Sequence, residues 1–135
     1  MLKSAYTFGG TLRLPVHEAR TLVEAALKAE GFGVLTEIDV AATLQAKLGI
    51  AQAPYLILGA CNPSLAHRAL QADPSIGALL PCNVVLREDA GQTVVEAMDP
   101  RAVMGLVENP EVAAVAAEAE ERLRRVIGSL GAAGE

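Results

Sequence analysis

Two stretches of the chain carry apolar residues every three or four positions, which is the pattern of an amphipathic helix. The first predicts a helix over 16–30, with Gly31 as its left-handed C-terminal cap. The second predicts a helix that starts at Asn109-Pro110 and runs to about Ser129. Three of its glutamates stand four residues before three arginines, a spacing that indicates exposed ion pairs of about 0.3 kcal/mol each.

Short apolar runs bounded by turn residues predict the strands. They cover 4–14, 32–38, 54–61, 79–88 and 93–98. The run over 54–61 is almost continuously apolar, which is typical of a central strand buried on both faces. Gly9-Gly10 weakens the first strand, and we expect a bulge there. The connection over 89–92 is short enough to join the last two strands as a hairpin.

Three shorter helical segments complete the pattern, over 40–48, over 63–72 and from Asp99-Pro100. Strands and helices therefore mix along the chain, which predicts an α+β fold, a two-layer α/β sandwich. Its helices would pack on a mixed, largely antiparallel sheet. Without a linker or a repeat, the chain reads as a single domain over 1–135, with a core over 2–128 and a flexible tail over 129–135.

Composition narrows the possible partners. The chain is 52% hydrophobic but only 3% aromatic, so its core should consist of small aliphatic side chains. No apolar run approaches the ~20 residues of a membrane span, and the first residues lack the pattern of a signal peptide. We therefore expect a cytoplasmic protein without a membrane partner.

The charge distribution argues against nucleic acid as a partner. The net charge is −5, and the imbalance lies after Ala60, where eleven acidic residues face six basic ones. Such a surface repels phosphate, and few aromatic side chains are present for base stacking.

Several catalytic signatures are absent from the sequence. Gly-rich phosphate loops, a serine nucleophile elbow and paired histidines at metal-binding spacing do not occur. The chain has only two histidines, His17 and His67. The sequence therefore gives no complete catalytic set and indicates no cofactor, and it does not predict an enzyme.

The two cysteines are the most informative residues. Cys61 and Cys82 each stand at a predicted strand end and are each followed by an asparagine, Asn62 or Asn83. Cys61 precedes a predicted helix N-terminus, where the helix dipole favours a thiolate, and His67 lies on that helix. This arrangement fits an activated thiol, or a Cys/Cys/His metal corner completed by an acid such as Asp99 or by a second subunit. The simpler interpretation, which we favour, is that both cysteines are small buried hydrophobes.

The polar candidates have structural interpretations too. Asn62 and Asp39 are suited to capping helices, and Asn83 to ending a strand. His67, flanked by apolar residues, fits a packing role, and Glu37 fits a solvated strand face better than a buried functional position.

Five segments of the chain carry a family resemblance. They are GFGVLTEIDV at 31–40, ILGACNP at 57–63, Ala66-His67, LLPCNVV at 79–85 and Asp99-Pro100. Over residues 2 to 128 the chain resembles the domain-of-unknown-function 302 family. The resemblance implies a small bacterial or archaeal α/β domain, dimeric and similar to TATA-binding-protein-like β-α-β4-α folds, here with extra short helices. The shared motifs contain Cys61, Asn62, His67, Cys82, Asn83, Glu37 and Asp39, but the family gives them no role.

Three functions remain open at this point. The leading one is a non-catalytic or small-ligand-binding homodimer with a pocket near the Cys61 and Cys82 strand ends, where α/β sheets often bind ligands. The second is thiol redox or metal chemistry at Cys61 with Cys82 or His67. The third is a purely structural assembly module.

Overall fold

The computed structural model describes residues 2–134, and the side chains of residues 2–131. Within this range the chain forms six strands and five α-helices. The strands are β1 (Leu2–Lys3), β2 (Thr7–Leu12), β3 (Gly33–Asp39), β4 (Tyr55–Cys61), β5 (Cys82–Asp89) and β6 (Gln92–Met98). The helices are α1 (Val16–Ala29), α2 (Val40–Leu48), α3 (Pro63–Ala72), α4 (Pro100–Met104) and α5 (Pro110–Gly134). A 3₁₀ turn over Pro74–Leu79 follows α3.

The strands form one sheet in the order β1-β2-β6-β5-β4-β3. The α+β class is confirmed, and the order of elements follows β-α-β4-α with β1 and the short helices added. Every neighbouring pair of described strands is antiparallel, so the parallel component implied by a mixed sheet is wrong. The reason is that α2 and α3 each return the chain in the opposite direction, whereas a parallel pair needs a crossover that restores the direction.

One face of the sheet carries the main apolar cluster. Alternate residues of neighbouring strands pair on this face, with Leu58 opposite Val84 and Val84 opposite Ala97. Helix α1 and the C-terminal half of α5 cover these residues through their own apolar stripes. The fully buried side chains of this cluster include Phe8, Val23, Leu27, Leu58, Val84, Leu86, Val95 and Leu123.

A second apolar cluster lies beside the first. It joins α3, the 3₁₀ turn, α4 and the N-terminal half of α5. Its buried members are Leu65, Ala69, Ile76, Met104, Val112, Val115, Ala116 and Ala119. Helix α5 has 25 residues and is therefore about 37 Å long at 1.5 Å per residue, enough to pack against both clusters.

The opposite face of the sheet and helix α2 are much less covered. On that face Ile38 lies opposite Ile57, and Ile38 is 50% exposed. Ile57 and Val85 are only half-buried, so the prediction that the strand over 54–61 is buried on both faces is wrong. Among the described helices, none is long and apolar enough to cross a membrane.

Three local predictions need correction. The ladder between β2 and β6 is continuous, so Gly9-Gly10 forms no bulge; the irregularity lies in β3 between Val34 and Thr36. The segment from 79 to 81 ends a 3₁₀ turn before β5 begins. Helix α5 continues to Gly134, so 129–134 are helical, while the flexibility expected for 129–135 stays a prediction and residue 135 lies outside the described residues.

The ion pairs expected along the last helix are confirmed. Glu118–Arg122, Glu120–Arg124 and Glu121–Arg125 approach to 3.4, 3.2 and 3.1 Å. Arg125 also pairs with Glu30 at 2.9 Å, which ties α5 to the end of α1. Because the arginines are partly exposed, each pair adds only a fraction of a kcal/mol to stability.

We predict opposite effects for two neighbouring glycines of β2. A Cβ on Gly9 would overlap the backbone oxygen of Val95 on β6, whereas a Cβ on Gly10 would meet nothing within 4 Å. Gly9→Ala should therefore lower the free energy of unfolding by about 1–3 kcal/mol or more, because the two strands must separate. The matched variant Gly10→Ala should be neutral or stabilise by up to about 1 kcal/mol. Urea denaturation measures both, and equal effects would contradict the close approach at Gly9.

Candidate functional site

The two cysteines lie at one end of the sheet, on neighbouring strands. Cys61 is the last residue of β4 and Cys82 the first of β5. Ala60 pairs directly with Cys82, so Cys61 is one residue beyond that pair. Both cysteines are free thiols; Cys82 is buried and Cys61 is partly exposed. The sequence prediction that both stand at strand ends is confirmed, and the fold brings them together.

A small, partly open cavity lies at this end of the sheet. Its volume is about 20 Å³, enough for roughly one water-sized particle. The walls come from both apolar clusters, because the cavity lies where the clusters meet. They include Phe32, Ala60, Cys61, Asn62, Leu65, Ala69, Cys82, Met104, Val115 and Ala119. The site is therefore small, mostly apolar, and formed by β4, β5, α3, α4 and α5 together.

Burial keeps both thiols protonated at neutral pH. Loss of solvent raises the pKa of the Cys61 thiol above its ordinary value. Loss of solvent, with a smaller contribution from the neighbouring Cys61, raises the pKa of Cys82 to about 11. The thiolate is the reactive form of cysteine, so these environments do not activate either residue as a nucleophile.

Asn62 has the capping role predicted for it. It is 8% exposed, and its Oδ1 accepts a hydrogen bond from the Leu65 backbone N–H at 3.3 Å at the start of α3. Its side chain also lies against the turn after α1, where a Cβ on Gly31 would come within 3.0 Å of the Asn62 Nδ2. Gly31 has a φ of +86°, so this turn both requires glycine and positions Asn62 at the cavity.

Four other candidate residues lie away from the cavity. His67 is exposed on α3, and Asn83 is exposed on β5 opposite Gly59, on the less covered face of the sheet. Glu37 bonds to Arg20 of α1. The Asp39 Oδ1 accepts the Ala42 backbone N–H at 2.9 Å, which confirms its capping role at α2.

The Cys/Cys/His metal corner is not formed. No group of three His, Cys, Asp or Glu side chains is placed to hold a metal within the described part of the chain. His67 is exposed on α3 and does not line the cavity. The Asp99 Oδ1 accepts the Arg101 backbone N–H at 3.0 Å as the cap of α4. The Asp99 carboxylate, proposed as the acidic ligand of this metal site, is therefore engaged in capping α4.

Met104 is a cavity residue that sequence reasoning missed. It ends α4, is 3% exposed, and adds a third sulfur-containing side chain to the cavity wall. The sequence gives no periodic signal for it, because α4 has only five residues and a lone methionine is most often a core filler. Its position depends on how α4 packs against α3 and α5, which is a tertiary property.

Two wider cavities also occur, and the first shares Met104 with the small cavity. An open groove of about 710 Å³ lies between the loop after α4 and the start of α5, around Met104, Val107 and Pro110. A second, of about 170 Å³, lies beside α2 and includes His17, Asp39 and Tyr55. Neither contains a cysteine or the two asparagines.

Comparison with known proteins gives a family and a related structure. The family model described as "Domain of unknown function DUF302" matches residues 9–130. The crystal structure of an uncharacterized conserved DUF302 protein from Bacillus stearothermophilus is similar, with 31% sequence identity and a TM-score of 0.86. The similarity covers 93% of this chain and 98% of that one. Among curated proteins, none matches the chain.

We predict that the stability of the protein falls at alkaline pH because of Cys82. Its pKa rises from 9.0 to about 11 on folding, so the unfolded chain loses this proton first. The contribution is fully present below pH 9.0 and is lost as the pH rises through about 11. Wild-type protein should lose more unfolding free energy over that range than Cys82→Ala, as measured by urea denaturation at each pH. Parallel pH profiles for the two proteins would show that Cys82 does not titrate abnormally.

Proposed function

Because the chain belongs to the DUF302 family, whose description names no activity, we propose a function from the geometry of its own site. We infer that the protein is a non-catalytic binding domain that works as a homodimer and takes a small ligand at the ends of β4 and β5. The carrying observation is the small cavity whose wall includes both cysteines of the chain.

The size of this cavity limits the ligand. Pockets for drug-sized molecules have volumes of about 300–1,000 Å³. A cavity of about 20 Å³ leaves space for a single ion or another particle of water size. A non-catalytic role agrees with thiols whose pKa values are raised by burial. A bulky metabolite does not fit in this space.

Helix α2 supports the homodimer. Six of its nine residues are Val, Ala or Leu, yet no residue of α2 is buried. Most helix stability in proteins comes from packing an apolar face against other elements, and α2 has little such packing within one chain. Leu48 and Ile50, at its end, are 65% and 48% exposed. Contact with a second chain would bury the apolar side chains of α2 that stay exposed in one chain.

The adjacent edge strand favours a second copy of the same chain as the occupant. β3 is an edge of the sheet, and its seven residues include no lysine or proline. Its two acidic residues have partners within the chain, since Glu37 bonds to Arg20 and Asp39 caps α2. Leu35 on this strand is 66% exposed. Two copies of one strand pair antiparallel about a two-fold axis, which is the symmetry of most homodimers. We therefore propose the α2 and β3 surface as the dimer interface.

The proposed compartment and the classes of partner that we disfavour follow from the net charge and from the free cysteines. Two unpaired cysteines fit a reducing cytoplasm. A net charge of −5 disfavours nucleic acid and anionic membranes as partners. The thiol-redox alternative lacks an activated cysteine. A purely structural module would form the same dimer interface and bind no ligand. Measuring dimerisation and ligand binding separately distinguishes it from the proposed function.

We predict that Leu48→Arg weakens the dimer at least tenfold. Leu48 is exposed in one chain, so the substitution should not disturb the monomer, but the proposed interface would have to bury an unpaired charge. Sedimentation velocity over a concentration series measures the dissociation constant. Leu106→Arg is the matched control, because Leu106 is 79% exposed but lies between α4 and α5, far along the chain from this surface.

The dimer experiment has two clear outcomes. A dimer that Leu48→Arg dissociates and Leu106→Arg leaves intact supports the interface. A monomeric wild-type chain, or equal effects of the two variants, contradicts it.

We also predict that a ligand of the cavity stabilises the wild-type protein and not Cys61→Ser. Thermal unfolding of both proteins is followed with panels of monovalent and divalent ions. A ligand at 100 times its dissociation constant adds about 2.7 kcal/mol. Complete absence of stabilisation across the panels would favour the structural module instead.

A further inference from the structure

We propose that the open groove between α4 and the start of α5 is a second binding site, which takes an aliphatic carboxylate of the size of a medium-chain fatty acid. This inference goes beyond the proposed function, because the groove shares only Met104 with the cavity at the ends of β4 and β5. The observation that carries it is a largely apolar groove of about 710 Å³ whose wall includes the cationic side chain of Arg101.

The volume of the groove suits an organic ligand. About 710 Å³ lies within the range of roughly 300–1,000 Å³ that is usual for small-molecule sites in proteins. The cavity at the strand ends, of about 20 Å³, is far below this range. The groove therefore has space for an organic molecule that the smaller cavity excludes.

Most residues of the groove wall are apolar. Helix α5 forms one side, and α4 with the loop after it forms the other. The apolar lining residues are Met104, Val107, Pro110, Ala113, Ala116 and Ala117. Those on α5 extend from Pro110 to Ala117, which is about 10 Å along the helix at 1.5 Å per residue. An extended aliphatic chain lying along α5 would cover these side chains.

The charged residues place a cation at one end of the groove. The Arg101 Nε is 3.8 Å from the Glu120 Oε1. Glu120 comes three residues after Ala117, so it lies on the same side of α5, about one turn beyond the lining alanines. The Arg101 guanidinium is therefore at the end of the groove toward the C-terminus of α5. Glu108 lies at the other end, beside the start of α5, and disfavours a carboxylate there.

The guanidinium of Arg101 has donors to offer a ligand. Its ion pair with Glu120 is longer than a hydrogen bond, and within the described part of the chain its side chain donates no hydrogen bond. Glu120 pairs more closely with Arg124, at 3.2 Å. The Arg101 side chain is 63% exposed, so its N–H groups are accessible from solvent.

A carboxylate on an aliphatic chain matches both parts of the groove. Arginine donates two parallel N–H···O hydrogen bonds to one carboxylate, and the chain covers the apolar wall. Glu108 and Glu120 border the groove, so a singly charged head is favoured over a phosphate, which carries up to about two charges. An alkyl amine would bring its own positive charge to Arg101 and is disfavoured.

The test is isothermal titration calorimetry of the full chain with decanoate. We expect one decanoate bound per chain. Octanoate should bind about tenfold more weakly, because it buries two fewer methylene groups. Decylamine has a chain of the same length and the opposite charge, and it should also bind about tenfold more weakly or worse, since its head group is repelled by Arg101.

Two variants, each with a matched control, locate the ligand. Arg101→Gln should weaken decanoate binding about tenfold or more and should not weaken decylamine binding, because it removes only the charged donors. Arg13→Gln is its control, since Arg13 is exposed and outside the groove wall. Ala113→Leu should weaken both ligands by filling the groove. Ala114→Leu, exposed on the same helix but not in the wall, should leave binding unchanged.

Some results would overturn the assignment. Absence of saturable decanoate binding removes the site, and decylamine binding as tightly as decanoate removes the role of Arg101. Decanoate binding that persists in both Arg101→Gln and Ala113→Leu places the ligand elsewhere. Both residues are exposed, so we expect folded variants, which circular dichroism checks; if one does not fold, the other decides the result. The ion titrations of the small cavity use other ligands and Cys61→Ser, so either site can fail without the other.

Discussion

The packing of α5 across two apolar clusters is the interaction on which the rest of the structure depends. Its C-terminal half places Leu123 and Val126 on the sheet, and its N-terminal half places Val112 and Val115 against α3 and α4. Both clusters are built mainly of aliphatic residues, with Phe8 and Phe32 the buried aromatic side chains of the main cluster, and they gain stability through many close contacts. A single helix that serves both clusters therefore fixes their relative position.

The cavity follows from this arrangement. Two separately packed clusters meet along α5, and the residues facing the boundary there are small, among them Ala60, Ala69 and Ala119. Small side chains at a junction leave space that neither cluster fills, although protein interiors are otherwise close-packed. The chain places both its cysteines beside this space. The aliphatic composition of the chain thus leaves a gap between the clusters, and the cysteines are the most reactive residues that line it.

Local signals in the sequence predicted most elements of the fold, because those elements depend on local physics. Asp39, Asn62 and Asp99 cap helices through their own side chains, and Gly31 takes a positive φ. Sheet order and direction were harder to predict, since they depend on where each helix returns the chain. Strand burial was overestimated for 54–61 because an apolar run does not distinguish a covered face of a sheet from an exposed one.

For the candidate site too, residues positioned by local structure were predicted, and residues positioned by tertiary packing were not. Cys61 and Cys82 were predicted correctly at strand ends and Asn62 as a helix cap, because strand boundaries and caps are local features. That the two strand ends are adjacent follows from the pairing of β4 with β5, which is tertiary information. His67 was grouped with them by proximity in sequence, yet its place on α3 leaves it exposed and outside the cavity wall. Met104 reaches the cavity only through the packing of α4 on α5, about 20 residues beyond Cys82 in the chain. Sequence motifs therefore predict only those residues of such a site that local structure positions, and they miss the residues that tertiary contacts bring to it.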